Sequence, residues 1–176
     1  MRKIPHDPTE LIAVVDRKDR IVGKSTRLEC HKTGMLHRTT ALIIRNEENE
    51  ILLQTRADDG RLDYSAGGHV GLNKTRREGA MIEAFEELGI GIPAIKFKRI
   101  GKWVAAGNSI HLVTVFEVFG DYSIEDFDID KSEVKGIQYY SIDKIKKLLR
   151  TENGVCSAGF GYSMRRYLGI RGFWYQ

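Results

Sequence analysis

The chain has 176 residues, of which 41% are hydrophobic and 30% charged, and it contains only 3 prolines. This composition is typical of one globular domain and excludes disordered, fibrous and low-complexity classes. The apolar runs are far shorter than the roughly 20 residues of a membrane-spanning helix. The 2 cysteines, Cys30 and Cys156, form no close-spaced pair and at most one bridge, which excludes a zinc finger and a disulfide scaffold.

The charge and the N-terminal segment narrow the expected partners. The formal net charge of +4 is small and spread along the chain, so nucleic acid is not an expected partner. Residues 1–8 lack the apolar core of a secretory signal, and we expect a cytoplasmic protein with no membrane partner. We predict one domain over residues 1–176, with a core at about 37–150 and a hairpin extension at 11–36.

Two hairpins are predicted in the first third of the chain. The first joins an apolar run at Leu11–Val15 to a second one at residues 21–23 through a polar turn. The second joins a β-rich segment at residues 39–44 to a strand that runs from Ile51 to about Arg56. The turns of both hairpins are rich in charged residues, as expected for exposed connections.

A glycine-dense segment at residues 64–71 leads into a predicted helix. Thr75 and Glu78 have the spacing of a capping box, and Gly89 is placed to end the helix. Apolar residues recur between them at helical spacing, which predicts the buried stripe. The stripe comprises Ala80, Met81, Ala84, Phe85 and Leu88.

The second half of the chain predicts further strands and two helices. Strands are expected at residues 95–105 and 110–119 around a Gly107 and Asn108 turn, followed by an acidic loop at 121–130. A strand at 136–140 precedes a helix that starts near Ser141, and a tail helix is expected at 162–168. Strands with inserted helices predict an α/β domain built on a mixed sheet.

The predicted helix after the glycine segment carries a cluster of carboxylates. Glu83, Glu86 and Glu87 lie at positions i, i+3 and i+4, so a helix places all three on the side away from Phe85. Their mutual repulsion is relieved when Mg²⁺ binds between them, because this ion prefers carboxylate oxygens. Gly67 and Gly68 are placed to meet the same ion or a phosphate. A solvated acidic helix face is the alternative interpretation.

The stretch GHVGLNKTRREGAMIEAFEELGI, residues 68–90, resembles the 23-residue signature of the Nudix hydrolases. The resemblance implies the α/β/α Nudix sandwich, with Mg²⁺ or Mn²⁺ bound by Glu83, Glu86 and Glu87, and with Glu83 and Glu87 as catalytic residues. Two positions depart from the signature: Lys74 stands in place of a glutamate and Ile82 in place of an arginine. Loss of such supporting groups typically costs roughly 10–100-fold in metal affinity or activity.

The segments around this signature resemble the branch of the superfamily related to isopentenyl-diphosphate isomerase. In that comparison His31, His37 and His69 fall near the isomerase's metal-binding histidines. Its catalytic cysteine corresponds to Gly67, however, so isomerase activity is not expected.

The same comparison raises the possibility of a second metal site. It places Ser109 and His111 where the isomerase carries glutamates, and it brings His111 close to His31, His37 and His69. This set has the ligand character of a Zn²⁺ site. The alternative is that His31 and His37 fix a loop through hydrogen bonds while His69 lines the substrate cleft.

The predicted function is hydrolysis of a diphosphate linkage in a small molecule, a nucleoside diphosphate linked to another moiety. We expect Arg56, Gly68, His69 and Lys74 to contact the substrate, because arginine and lysine suit phosphate oxygens. The alternative is a Nudix-fold module that binds a nucleotide or a partner protein without catalysis, which the changes at Lys74 and Ile82 favour. Where an assembly forms, we expect a homodimer.

Overall fold

The computed structural model describes residues 7–106, 109–151 and 154–170. The strands and helices follow the chain in an α/β order, with short 3₁₀ turns at Ala94–Lys96 and Ile124–Asp126. They are β1 (Leu11–Val15), β2 (Ile21–Thr26), α1 (Arg27–Thr33), β3 (His37–Arg45), β4 (Glu50–Arg56), β5 (Leu62–Asp63), β6 (Ala66–His69), α2 (Arg76–Leu88), β7 (Lys98–Ala106), β8 (Ile110–Phe119), β9 (Val134–Ser141), α3 (Ile142–Thr151) and α4 (Ala158–Tyr167).

The strands of the described chain form one mixed sheet centred on β3. This strand pairs in parallel with β8 along its whole length, and it pairs antiparallel with β1, β4 and β6. Strands β3 and β4 form a hairpin, but of β3 only Ile44 and Arg45 pair with β4. The other partners of β4 are β5 and β9. The sheet therefore opens between β3 and β4, and this opening leaves room for a cavity.

Helices cover both faces of the sheet. Because strand side chains alternate, Ala41 and Ile43 of β3 lie in one core with α3 and α4, while Leu42 and Ile44 lie in a second core with α2. This arrangement confirms the predicted α/β/α sandwich with a mixed sheet. The division into a core at 37–150 and an extension at 11–36 stays a prediction.

Several boundaries differ from the sequence-based expectation. Helix α1 was not predicted, since its seven residues contain a single buried side chain, Cys30, and show no apolar stripe. Strand β7 starts at Lys98 because residues 94–96 form a 3₁₀ turn after Pro93. Helix α4 begins earlier than predicted because Ser157 caps it through its side chain. The predicted turn at Gly107 and Asn108 lies outside the described residues.

The structure confirms the predicted start and end of helix α2. Thr75 and Glu78 form the reciprocal capping box, and Gly89 adopts a left-handed φ of 68° at the C-terminus. The predicted apolar stripe was wrong in one respect, because Phe85 is 50% exposed. Glu83 and Glu87 face the sheet beside Ala80, Ala84 and Leu88, so the carboxylates rather than Phe85 are directed inward.

Candidate active site

Helix α2 and strand β6 together place two carboxylates against a run of glycine. The inward face of α2 carries Glu83 and Glu87, which are 9% and 5% exposed. A Cβ built on Gly68 would lie 2.6 Å from the carboxyl carbon of Glu83, so only glycine leaves space for this side chain. The absence of a side chain at Gly68 thus leaves the space that the Glu83 carboxylate occupies.

Glu87 is held by two donors from the sheet. Its Oε2 accepts a hydrogen bond from the Gly67 N–H at 2.9 Å and another from Gln54 Nε2 at 3.3 Å. Burial and the adjacent charge of Glu83 raise the pKa of Glu87 well above its ordinary value. An ionised Glu87 therefore requires a compensating positive charge in the site.

A cavity of about 460 Å³ opens beside these carboxylates. Among the described residues nine carboxylic acids and three arginines line it, and its wall includes Gly67, Gly68 and the whole cluster of Glu83, Glu86 and Glu87. This excess of negative charge opposes the entry of a phosphate anion unless cations neutralise it. The wall also includes three of the histidines predicted as ligands: His31, His69 and His111.

The oxygen donors around Glu87 fit a divalent cation of the Mg²⁺ class. Glu83 and Glu87 provide two buried carboxylates, and Glu86 lines the same wall. The Oε1 atom of Gln54 is buried and has no hydrogen-bond partner within the described part of the chain. Mg²⁺ and Mn²⁺ prefer hard oxygen ligands of this kind. Gly67 supports Glu87 through its N–H, and its predicted role as a metal ligand stays a prediction.

Of the two cationic residues predicted to contact phosphate, only one lines the cavity. Arg56 lines it, but its guanidinium also forms ion pairs with Asp58, Asp59 and Asp63, the last at 3.2 Å. Lys74 is exposed in the turn before α2 and is not among the residues that line the cavity. The geometry therefore favours Arg56 over Lys74 as a contact for substrate.

The four histidines predicted from the sequence do converge. His31, His37, His69 and His111 each offer a ring nitrogen, and these nitrogens all lie within 4.8 Å of one another. His37 is opposite His111 in the parallel pair of β3 and β8, and Thr39 of the same strand is opposite His69. The sheet register thus assembles three of the four, and α1 adds His31.

Sequence reasoning missed two residues of this site. Gln54 is a polar side chain, 5% exposed, in a strand of apolar neighbours, and that contrast was the signal available. Glu133 lines the cavity and contributes to the raised pKa of Glu87. It lies just before β9, where its carbonyl accepts from the Ala57 N–H at 2.9 Å. Nothing local distinguishes it from other loop acids.

Comparison with known proteins decides the family. The model of the NUDIX domain matches residues 35–157, which is most of the chain. The chain belongs to the Nudix family. This match confirms the resemblance drawn from residues 68–90. Members of this family act on small-molecule diphosphates and generally use divalent metals.

The relatives of this Nudix protein include hydrolases and an isomerase. It is 30% identical over 145 residues to Nudix hydrolase 3 of Arabidopsis thaliana, covering 72% of this chain but only 18% of that protein. It is 25% identical over 176 aligned residues to isopentenyl-diphosphate delta-isomerase 2 of Homo sapiens, covering 81% of this chain and 74% of that one. This confirms the predicted relationship to the isomerase branch.

A solved structure shows the same fold. The DR0079 protein of Deinococcus radiodurans matches with a TM-score of 0.73 at 19% identity, over 89% of this chain and 98% of that one. Within the described residues of the Nudix protein, no helix has the length and apolarity needed to cross a membrane.

Proposed function

We propose that this Nudix protein hydrolyses a diphosphate linkage in a nucleoside diphosphate joined to another moiety, with Mg²⁺ or Mn²⁺ held by Glu83, Glu86 and Glu87. The observation that supports the proposal is the pair of buried carboxylates, Glu83 and Glu87, set against Gly67 and Gly68 at the cavity wall. A merely solvated acidic face would leave these two side chains exposed.

The chain's own groups suit the steps of such a reaction. When bound, the divalent ion neutralises diphosphate oxygens and lowers the pKa of a water molecule. Glu87, buried at the cavity wall, is the candidate general base that takes the proton from the attacking water. Gln54 and the Gly67 N–H orient that carboxylate, which is the task that the family assigns to the residues replaced here by Lys74 and Ile82.

Arg56 is the candidate group for binding the substrate phosphates. Its partners Asp58 and Asp59 lie at the rim of the cavity and are partly exposed, with side-chain exposures of 49% and 38%. A phosphate can therefore replace one of these ion pairs at small cost, since exposed pairs contribute little to stability. Gly68 and His69 line the same wall and stay predicted substrate contacts.

The test is phosphate or nucleotide release from a panel of nucleoside diphosphate derivatives with Mg²⁺ or Mn²⁺. We expect wild-type turnover and a loss of at least ~100-fold in Glu87→Gln, because this change removes a charged ligand. Glu125→Gln, in an exposed turn, is the matched control and should keep wild-type rates.

A second variant separates hydrolysis from binding alone. Lys74→Glu combined with Ile82→Arg restores the family signature. If only this variant releases product, the wild-type chain is a nucleotide-binding module and the proposal is wrong. Inactivity of both proteins across the panel contradicts the nucleotide substrate class.

A further inference from the structure

Three cations from separate elements converge on Asp19, in the turn between β1 and β2. Arg38 of β3 donates from Nε to the Oδ1 atom of Asp19 at 2.8 Å and from Nη2 to its carbonyl oxygen at 2.8 Å. Lys102 of β7 donates to Oδ2 at 2.9 Å, and Arg76, the first residue of α2, donates to the same oxygen. We call Arg38, Arg76 and Lys102 the basic cluster; it is produced by tertiary folding rather than by a local motif.

The basic cluster carries more positive charge than Asp19 compensates. Within the described ranges, Asp19 is the one carboxylate that pairs with these three side chains, so three positive charges and one negative charge leave a net charge of +2. Arg17 and Lys18 of the same turn are exposed and increase the local positive potential. Because like charges this close repel one another, an additional anion would stabilise the cluster.

The cluster also has donor groups that lack an acceptor. The Nε atom of Arg76 is buried and has no hydrogen-bond partner among the residues that the structure describes. Each guanidinium has more N–H donors than it uses on Asp19, and so does the ammonium group of Lys102. A buried donor without an acceptor destabilises the fold. A second acceptor beside Asp19 would satisfy these groups.

An anion can reach the cluster from solvent without opening the turn. The side chains of Arg76 and Lys102 are 25% and 35% exposed, whereas that of Asp19 is only 9% exposed. The turn itself is held by Asp16, whose carboxylate accepts from the Lys18 N–H at 2.9 Å and from the Arg20 N–H at 3.0 Å. The ligand can therefore bind beside Asp19 rather than in its place.

We propose that Arg38, Arg76 and Lys102 form a binding site for a phosphate dianion, either inorganic phosphate or the phosphate group of a monoester. Its charge balances the net charge of the cluster, and its oxygens accept from the guanidinium N–H groups, whose planar fork suits them. The three side chains are not among the residues that line the active-site cavity. The site is therefore separate from the proposed hydrolytic centre.

The position of this site connects it to the elements that carry the catalytic groups. A bound phosphate would join the N-terminal hairpin more firmly to β3, β7 and α2, and α2 carries Glu83 and Glu87. Hydrolysis of a diphosphate releases phosphate monoesters, so under the proposed function the site takes the class of anion that the reaction produces. The binding itself does not depend on that reaction.

Calorimetric titration of the full chain with inorganic phosphate, in chelator and at constant ionic strength, tests the site. We expect one phosphate per chain and a melting temperature that rises with phosphate, whereas NaCl of equal ionic strength only screens the ion pairs. Arg76→Gln and Lys102→Gln should each weaken phosphate binding at least ~10-fold, because each removes a charge-assisted donor. Arg77→Gln is the matched control, since this exposed neighbour of Arg76 carries the same charge, and it should bind as wild type does.

Parallel titrations identify the source of the phosphate and exclude the active site. A nucleoside monophosphate that binds at least ~10-fold more tightly than inorganic phosphate identifies a monoester as the ligand, and equal or weaker binding identifies free phosphate. Arg56→Gln, which changes the cavity, should keep phosphate binding and should also keep the rise in melting temperature. The proposal is wrong if wild type binds no phosphate, if Arg56→Gln abolishes binding, or if Arg76→Gln and Lys102→Gln both bind as wild type. Each of these outcomes is independent of turnover.

Discussion

Glu87 shows at the scale of one residue how burial changes a carboxylate. In water it would ionise near its ordinary pKa of 4.5, but burial and the charge of Glu83 raise that pKa. The unfolded chain releases this proton near pH 4.5, whereas the folded metal-free chain holds it to higher pH. Stability of the metal-free protein is therefore lost as pH rises through the folded pKa of Glu87.

Glu87→Gln should stabilise the metal-free protein at alkaline pH. The amide keeps the shape of the side chain and removes the buried charge. Thermal unfolding in chelator at pH 8 should show a rise of roughly 2–4 °C, the effect of about 1 kcal/mol in a chain of this size. The difference should vanish well below pH 4.5, where wild-type Glu87 is protonated in both the folded and the unfolded state. A less stable variant at pH 8 would contradict the assigned pKa direction.

Gln54 acts on the reaction through Glu87 and is a positioning residue. Gln54→Leu removes a donor to the carboxylate, so the pKa of Glu87 should rise further and activity should fall roughly 10–100-fold. Gln54→Glu adds a like charge and should move the acidic limb of the pH–rate profile still higher. A structural role alone would leave the pH profile in place. Gln138→Leu, at an exposed position on β9, is the control.

At the scale of elements, β6 depends on its two glycines for different reasons. A Cβ on Gly67 would lie 2.9 Å from the carbonyl oxygen of Thr40, which belongs to the backbone of β3 and cannot move freely. The three atoms nearest to a Cβ on Gly68 all belong to the carboxylate end of Glu83, which is a flexible side chain rather than backbone. Gly67 is therefore required for the close approach of β6 to β3, and Gly68 for the position of the Glu83 carboxylate.

Substituting the two glycines should separate stability from activity. Gly67→Ala should destabilise the fold by roughly 1–3 kcal/mol, as overpacking against fixed atoms does. Gly68→Ala should leave the unfolding midpoint nearly unchanged but lower kcat at least ~10-fold, because it displaces Glu83. Paired denaturation and kinetic measurements check this, and equal effects of the two changes on stability would refute the distinction.

At the scale of the whole molecule, Asp19 connects the N-terminal hairpin to the remainder of the fold. Its carboxylate contacts Arg38 of β3 at 2.8 Å, Lys102 of β7 at 2.9 Å, and Arg76 of α2. Burial alone would raise the pKa of Asp19, but the hydrogen bonds from these three cations lower it to about 2. This charge therefore stabilises the fold at neutral pH and ceases to do so as pH falls through 2.

Asp19→Asn should destabilise the protein at pH 7 by about 1–2 kcal/mol, after allowance for solvent screening. Denaturant unfolding at pH 7 and near pH 2 measures the effect, which should disappear at the acidic end. Asp143→Asn is the control, because this side chain is 95% exposed and its pairing with Lys146 at 3.7 Å contributes little. Equal losses for the two variants would contradict the connecting role.

What the sequence predicted well was local. The capping box at Thr75, the end of α2 at Gly89 and the spacing of Glu83, Glu86 and Glu87 are set by neighbours within one or two turns. The orientation of α2 was harder to predict. Phe85 is more hydrophobic than Ala84, yet Glu83, Ala84 and Glu87 occupy the inward face of α2 and Phe85 is left 50% exposed.

The sequence by itself determined the acidic helix, the glycine-dense segment before it and the family to which they belong, because each depends on residues close together in the chain. Only the tertiary structure decided which groups surround them. Gln54 and Glu133 reach Glu87 from distant segments, and the four histidines meet through the pairing of β3 with β6 and β8 and the placement of α1. Strand register is a non-local property, since it is set by packing of whole sheets rather than by the residues that it brings together.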